Sequence, residues 1–208
     1  MEKIPKPVIR RLVVYYRCLE RLKAEGKEYT SSKELAQRLG IKACQIRKDL
    51  SYFGGFGKRG VGYKVDELHE RLREILGIGQ SWKAVVIGAG NLGKAIAGHK
   101  PLKQQGFEVV GMFDIDGRKI GRKFNGLTIM HMDDLEDFVR ENDVRIAILC
   151  VPPDSAQEAA EAAEKAGVEG ILNFTTRVLK VGVPVENVDF SAALKSLTFQ
   201  IIKRKGRA

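Results

Sequence analysis

The chain has 208 residues, of which 44% are hydrophobic and 30% charged, with a net charge of +10. That composition describes an ordinary soluble globular protein. Its longest apolar runs, such as 146–151, are far too short to cross a membrane, and its first residues lack the apolar core of a signal peptide, so a cytoplasmic location is expected. Residues 1–78 carry 18 Lys/Arg against 10 Asp/Glu, whereas 79–208 carry 18 against 16, so a densely negative partner should meet the N-terminal end.

Pro5 and Pro7 open a first helical pattern in which Ile9, Leu12, Val13, Tyr16, Leu19 and Leu22 keep helical spacing until Gly26. Ser31 and Glu34 are spaced as a capping box for a second helix that stops at Gly40. A third helix is predicted over 42–52, with Ile46 and Leu50 on one face. Ala36, Gly40 and Ile46 supply what two steeply crossing helices need. These are a small residue at the contact, a residue tolerant of positive φ in the turn, and an apolar anchor. On the opposite face of the third helix stand Gln45, Arg47, Lys48 and Ser51. Arg suits guanine, Gln suits adenine, and Lys and Ser suit phosphates. A glycine-rich loop with Lys58 and Arg59 follows and reads as a wing, then a helix over 66–76 and a linker at 77–81. This is a winged helix-turn-helix pattern, assigned to residues 1–78.

From Trp82 the pattern changes to apolar strands (84–88, 108–113, 145–151, 170–174) alternating with helices (92–99, 133–142, 155–166), which predicts a doubly wound parallel sheet. The first strand runs into Gly88-Ala89-Gly90-Asn91-Leu92-Gly93, a GxGxxG turn opening a helix. Gly88 permits the tight turn, Gly90 lets a pyrophosphate approach the backbone, and Gly93 lets the helix pack closely. Asp114 ends the second strand, where a carboxylate receives adenosine ribose hydroxyls, so NADH and NAD+ are favoured; Arg118, Lys119 and Arg122 keep the 2′-phosphorylated form from being excluded. The region 79–185 is thus a Rossmann domain. After Asn173 no His and no nucleophile motif follows, so the domain is expected to bind a nucleotide without transforming it and no catalytic residue is assigned. Cys18, Cys44 and Cys150 share no metal or redox spacing and read as small buried hydrophobes. His69, His99 and His131 stand far apart, and no metal site is expected. An extended segment at 185–189 leads to a last helix over 191–205, with Leu194, Leu197 and Ile201 on one face.

The order helix-turn-helix, RKDLSYFG, RGVGY, GxGxxG and Asp114, supported by VPP at 151–153, GILNF at 170–174 and ENVDF at 186–190, resembles the redox-sensing transcriptional repressor Rex family along nearly the whole chain. The resemblance implies a homodimer with a C-terminal helix (186–208) exchanged between subunits. It also implies a repressor that binds a near-palindromic operator and releases it when NADH binds. Arg47 and Lys48 would read the groove, and Lys58 and Arg59 would form the wing. Val151, Pro152, Asn173 and Phe174 would join the glycine turn and Asp114 around the dinucleotide, Phe190 would approach the nicotinamide pocket of the other subunit, and Arg17 and Asp189 would couple the two domains. His99 stands where the family often has Tyr, and Thr175-Thr176 where Ala-Pro is usual. An NAD-dependent oxidoreductase and a regulator answering to another nucleotide, such as an acyl-CoA, are the alternatives.

Overall fold

The structure, a computed structural model, describes residues 4–58 and 60–205. The chain divides into two compact units, residues 1–80 and 81–208. In the first, helix α1 (Lys6–Ala24) begins behind Pro5, which fixes the backbone at no cost in hydrogen bonds. It buries Val8, Leu12, Tyr15, Tyr16, Cys18, Leu19 and Leu22, while Ile9 stays exposed. Strand β1 (Tyr29–Thr30) leads into α2 (Ser32–Leu39). Only half of the expected capping box forms. Ser31 Oγ accepts from the Glu34 amide at 3.1 Å, but the Glu34 carboxylate is taken by Thr30 Oγ1 and Lys27 Nζ. Gly40 ends α2 in the left-handed region, with φ 66°, and lets the chain turn into α3 (Ala43–Ser51). Ile46 and Leu50 of α3 join Leu35, Leu12 and Leu19 in one core. Strand β2 (Tyr63–Lys64) pairs antiparallel with β1, and Lys58 bridges Gly62 to close a short hairpin before it. This is the predicted wing; Arg59, also assigned to it, lies outside the described residues. Helix α4 (Val65–Ile75) completes the unit, packing on α1.

In the second unit a seven-stranded sheet has the order β5-β6-β4-β3-β7-β8-β9. Strands β3 (Trp82–Ile87), β4 (Phe107–Asp114), β6 (Leu127–His131), β7 (Ile146–Leu149), β8 (Gly170–Asn173) and β9 (Val185–Asn187) are parallel, and only the edge strand β5 (Lys123–Phe124) runs against its neighbour. Alternation along β3 sorts the two faces of the sheet. Val85 and Ile87 pack with Leu135 and Val139 of α7 (Leu135–Asn142) and Ala160 and Ala163 of α8 (Ala156–Lys165). Ala84 and Val86 pack on the other side with Ile96 and Ala97 of α5 (Asn91–Ala97). The expected doubly wound sheet is therefore present, with β5, β6 and a short helix α6 (Lys100–Gln104) added to it.

Past β8 the chain forms a loop strapped to α8. Gln157 exchanges two hydrogen bonds with the backbone of Lys180, and Glu164 accepts from the amides of Gly182 and Val183. The last helix, α9 (Phe190–Lys205), leaves Phe190, Leu194, Leu197, Phe199, Ile201 and Ile202 exposed.

Candidate functional site

The recognition-type helix α3 is fixed by a buried carboxylate. Asp49 lies on its inner face, fully enclosed, and accepts four hydrogen bonds: Arg11 Nε at 2.5 Å and Nη2 at 2.8 Å, Tyr15 Oη at 2.7 Å, and Gln45 Nε2 at 2.8 Å. Burial alone would push the Asp49 carboxyl up, but the donors from Arg11, Tyr15 and Gln45 outweigh it and hold it below the ordinary aspartate range. The same carboxylate raises the Arg11 guanidinium, so the pair stays ionised. Two helices, α1 and α3, are thereby pinned at fixed rotation as well as packed. Sequence reasoning missed Asp49. Its only signal is an acidic side chain sharing the inward side of a cationic helix with Ile46 and Leu50.

This network changes what Gln45 offers. Its amide nitrogen is committed to Asp49, so the side chain does not stand free on the outer face as its helical position suggested. Arg47, Lys48 and Ser51 are exposed. Arg47 Nη1 donates to Ser32 Oγ at 2.9 Å, which lays the guanidinium across the start of α2. Ser51 Oγ turns back to the Lys48 carbonyl at 2.8 Å. Lys58 is exposed on the wing, its backbone exchanging two hydrogen bonds with Gly62 at 3.0 Å. Cations on a helix and an adjoining hairpin, with their apolar backs buried, suit phosphates and base edges. Cys44, expected to be buried, is exposed because its position on α3 faces away from Ile46; Cys18 is buried and Cys150 partly so.

The second site is a cleft of about 700 Å3 at the carboxyl ends of β3, β4 and β7, where the chain departs from β3 in opposite directions along the sheet. Gly88, Gly90, Asp114, Val151 and Pro152 line it, together with Ile115, Asp116, Lys119 and Cys150. Gly88 has φ 101° and lies so close to Cys150 that a side chain would strike its carbonyl. A Cβ on Gly93 would collide with the Gly88 carbonyl oxygen, so this glycine lets α5 close onto the strand. At Gly90 a Cβ would meet nothing. That open approach over the start of α5, flanked by exposed Asn91 and Leu92, is where a pyrophosphate can reach backbone amides. The residues present therefore fit a dinucleotide.

Asp114 ends β4 as predicted, with its side chain 8% exposed. Its Oδ2 accepts from the Ala89 amide at 2.8 Å and Lys119 Nζ at 2.9 Å, and its Oδ1 from the Asp116 amide at 2.9 Å. Burial works to raise this carboxyl, yet the amides of Asp116 and Ala89 and the Lys119 ammonium prevail and hold it low. Arg118 forks onto Asp116 and brings that group down to about 2. Burial pushes the Cys150 thiol up to about 12, which leaves it protonated and unreactive.

Other expected cofactor residues are placed differently. Asn173 is wholly buried and its side chain is spent on the chain itself. Nδ2 donates to the Arg177 carbonyl and Asn187 Oδ1, and Oδ1 accepts from the amide and hydroxyl of Thr175. It organises the loop rather than presenting a polar group to the cleft. Thr175 is thus part of that knot. Phe174 is half-buried, and its ring lies 6.1 Å from that of Phe190, itself largely exposed at the start of α9. Asp189 caps α9, accepting from the Ala192 amide at 3.0 Å and Ser191 Oγ at 2.7 Å. Arg17 is exposed on α1 and His99 is exposed before α6. Among the described residues no group of His, Cys, Asp and Glu is arranged to hold a metal ion, and no helix is long and apolar enough to cross a membrane.

Residues 3–51 match the family described as "Putative DNA-binding protein N-terminus", and residues 79–177 match the CoA binding domain family. The chain is 56% identical over 204 residues to the redox-sensing transcriptional repressor Rex 1 of Thermotoga maritima, covering 98% of each chain. It is 48% identical to the Rex of Carboxydothermus hydrogenoformans, covering 96% of this chain and 97% of that one. A solved structure of RSP with β-NAD+ and operator DNA superposes with a TM-score of 0.90 at 40% identity, over 99% of this chain and 95% of that one. RSP with β-NADH gives 0.85 at 39% identity, over 99% and 97%. With relatives this similar matched over nearly their full length, the chain belongs to the family of redox-sensing transcriptional repressors Rex.

Proposed function

We propose that this chain is a transcriptional repressor that holds operator DNA through its N-terminal unit and releases it when NADH occupies the cleft at Asp114. The observation that carries this reading is the presence, in one chain, of an outward cationic helix face braced by Asp49 and a glycine-lined dinucleotide cleft. Arg47 and Lys48, with Ser51, Lys58 and Arg59, are the DNA-contacting set; Gln45 contributes through the oxygen of an amide tethered to Asp49. Gly88, Ala89, Gly90, Asn91, Leu92, Gly93 and Asp114 hold the dinucleotide, with Val151, Pro152, Phe174 and Phe190 toward its far end. Asn173 serves by shaping the loop beneath them. Arg17 and Asp189 remain the proposed couplers between the two units.

The working unit is proposed to be a cytoplasmic homodimer built of residues 1–78 for DNA, 79–185 for nucleotide and 186–208 for dimerisation. The exposed apolar side chains of α9 support that role for the last segment. A dimer places two recognition helices against half-sites about 34 Å apart, which calls for a near-palindromic operator. The chain is not proposed to be an enzyme. The relatives it matches over nearly their full length are named as transcriptional repressors, which supports that reading.

Release requires NADH to bind the DNA-free form more tightly than the DNA-bound form. Tenfold selectivity supplies about 1.4 kcal/mol, and the operator weakens NADH binding by the same factor. The test is a titration of NADH into the protein–operator complex at fixed salt, since phosphate contacts make affinity steeply dependent on ionic strength. Operator release at rising NADH is expected; indifference of the complex to NADH refutes the reading. A second reading, a regulator answering to a CoA ester, draws on the CoA binding family matched over 79–177. An acyl-CoA titration beside the NADH one separates the two.

A further inference from the structure

The nucleotide cleft and the root of α9 lie at the same end of the sheet, and the strands between them are tied together there in a row. At the end of β3 the Ile87 carbonyl accepts from the Cys150 amide at 2.8 Å. One strand further the Leu149 carbonyl accepts from the Phe174 amide at 3.1 Å, and at the sheet edge the Asn173 carbonyl accepts from the Val188 amide at 2.8 Å. Cys150, Val151 and Pro152 form a wall of the cleft, while Asp189, directly after Val188, caps α9.

Backbone bonds of this kind join any parallel pair, but the last crossing carries more. Strand β9 is three residues long and lies at the edge, so few backbone bonds hold it. Asn187, its final residue, adds a side-chain bond: its Oδ1 accepts from Asn173 Nδ2 at 2.8 Å. Asn173 has no exposure and no freedom to turn. Its amide nitrogen also donates to the Arg177 carbonyl, and its Oδ1 accepts from the amide and the hydroxyl of Thr175. All four of its hydrogen-bonding positions are thus used, which fixes Asn187 in one place. Asn187 itself is exposed, so water would satisfy its side chain as well. What the bond adds is direction, since the Phe190 ring, at the start of α9, then lies 6.1 Å from that of Phe174.

We propose that Asn187 is a positioning residue of the switch: held by Asn173, it makes the root of α9 follow the cleft wall, so that occupancy of the cleft reaches the dimerisation helix. The inference rests on the repressor reading above and deepens it by naming where a change in the cleft is passed on. A joint transmits such a change only while it is stiff; slack at the edge strand lets the wall move and leaves α9 where it was. Asn187 touches neither ligand in this reading. Loss of its bond therefore weakens the link between the two bindings and neither binding by itself.

The test compares the full-length chain with N187A and N187D. Operator affinity is measured by anisotropy of labelled DNA at fixed salt, without NADH and with saturating NADH, and the ratio of the two dissociation constants is the coupling. NADH affinity of the DNA-free protein is measured by nucleotide fluorescence. In N187A the coupling should fall by about fivefold, the worth of one neutral hydrogen bond, while each separate affinity stays within about twofold of the unaltered value. N187D keeps an acceptor for Asn173 Nδ2 and should keep the coupling. Unchanged coupling in N187A overturns the inference, as does a loss of NADH affinity in its place, which makes Asn187 a shaper of the cleft only. Equal loss of coupling in N187D overturns it too, because the hydrogen bond is then not the carrier. If NADH does not release the operator from the unaltered chain, the repressor reading fails first and takes this one with it.

Discussion

Replacing Asp49 with Ala tests whether the buried carboxylate braces the DNA-facing helix. The change removes four hydrogen bonds at once and leaves their donors, on Arg11, Tyr15 and Gln45, behind. The Tyr15 hydroxyl belongs to a residue with no exposure, so orphaning it costs about 1–3 kcal/mol. The Arg11 side chain is 28% exposed and reaches water more cheaply. With the pairing energy included, breaking such a buried pair costs about 3–5 kcal/mol. In a unit of this size each kcal/mol moves the melting midpoint by about 4–8 °C, so a fall of roughly 15 °C or more is expected. The sequence supplies a convenient assay. All five tyrosines fall in residues 1–80 and the one tryptophan, Trp82, in the other unit. Tyrosine near-UV circular dichroism thus follows the N-terminal unit in the intact chain, and Trp82 fluorescence reports the sheet as an internal control. R11M/D49A should be less damaged than D49A alone, because no cation is then left without its partner. A loss below about 1 kcal/mol in D49A, or a double variant worse than either single one, refutes the bracing argument.

Other outcomes follow from the same geometry. The Asp49 carboxyl is lower in the folded than in the unfolded chain, so its contribution to stability is complete above the ordinary aspartate value of about 3.9 and disappears as pH falls through the folded-state value; acid titration of the tyrosine signal should show this, and D49N should flatten it. Gly90→Ala should fold normally, since its Cβ meets nothing, yet lose NADH affinity, whereas Gly93→Ala should lower the Trp82-reported midpoint through its clash with Gly88; calorimetry and nucleotide binding distinguish the two. Lys48→Ala should weaken operator binding across sequences and reduce the salt slope by about one, measured over a range of salt concentrations. A thiol reagent should label exposed Cys44 fast and Cys18 and Cys150 slowly, as mass spectrometry of the labelled peptides would read.

The fold was largely legible in the sequence because its elements obey simple periods. Helical spacing marked α1 to α4, and apolar runs beside glycine turns marked β3, β4, β7 and β8. The hairpin of β5 and β6 escaped, although Asn125-Gly126 between two short alternating runs is a turn signal. Both residues do adopt positive φ. At the sites, glycine spacing was informative because sterics alone dictate it. Side-chain allegiance was not. Gln45 and Asn173 could have faced a ligand, and which way each turned depended on Asp49, Thr175 and Asn187, partners remote from any local pattern. Cys44 was misplaced for a related reason. Apolar character alone does not bury a residue whose helical position faces outward.

The loop behind β8 illustrates what separate anchoring of two ends achieves. Thr176, Arg177 and Val178 form its exposed crest, with Val178 at 82% exposure, so a trypsin-like protease would meet Arg177 first. A nick there would not free the C-terminal fragment. Strand β9 stays in register with β8 from Ile171–Val185 to Asn173–Asn187, Gln157 keeps hold of Lys180, and Glu164 keeps hold of Gly182. The severed chain would therefore migrate as two pieces on a denaturing gel and as one body in solution, with α9 still leaving the sheet from the same root.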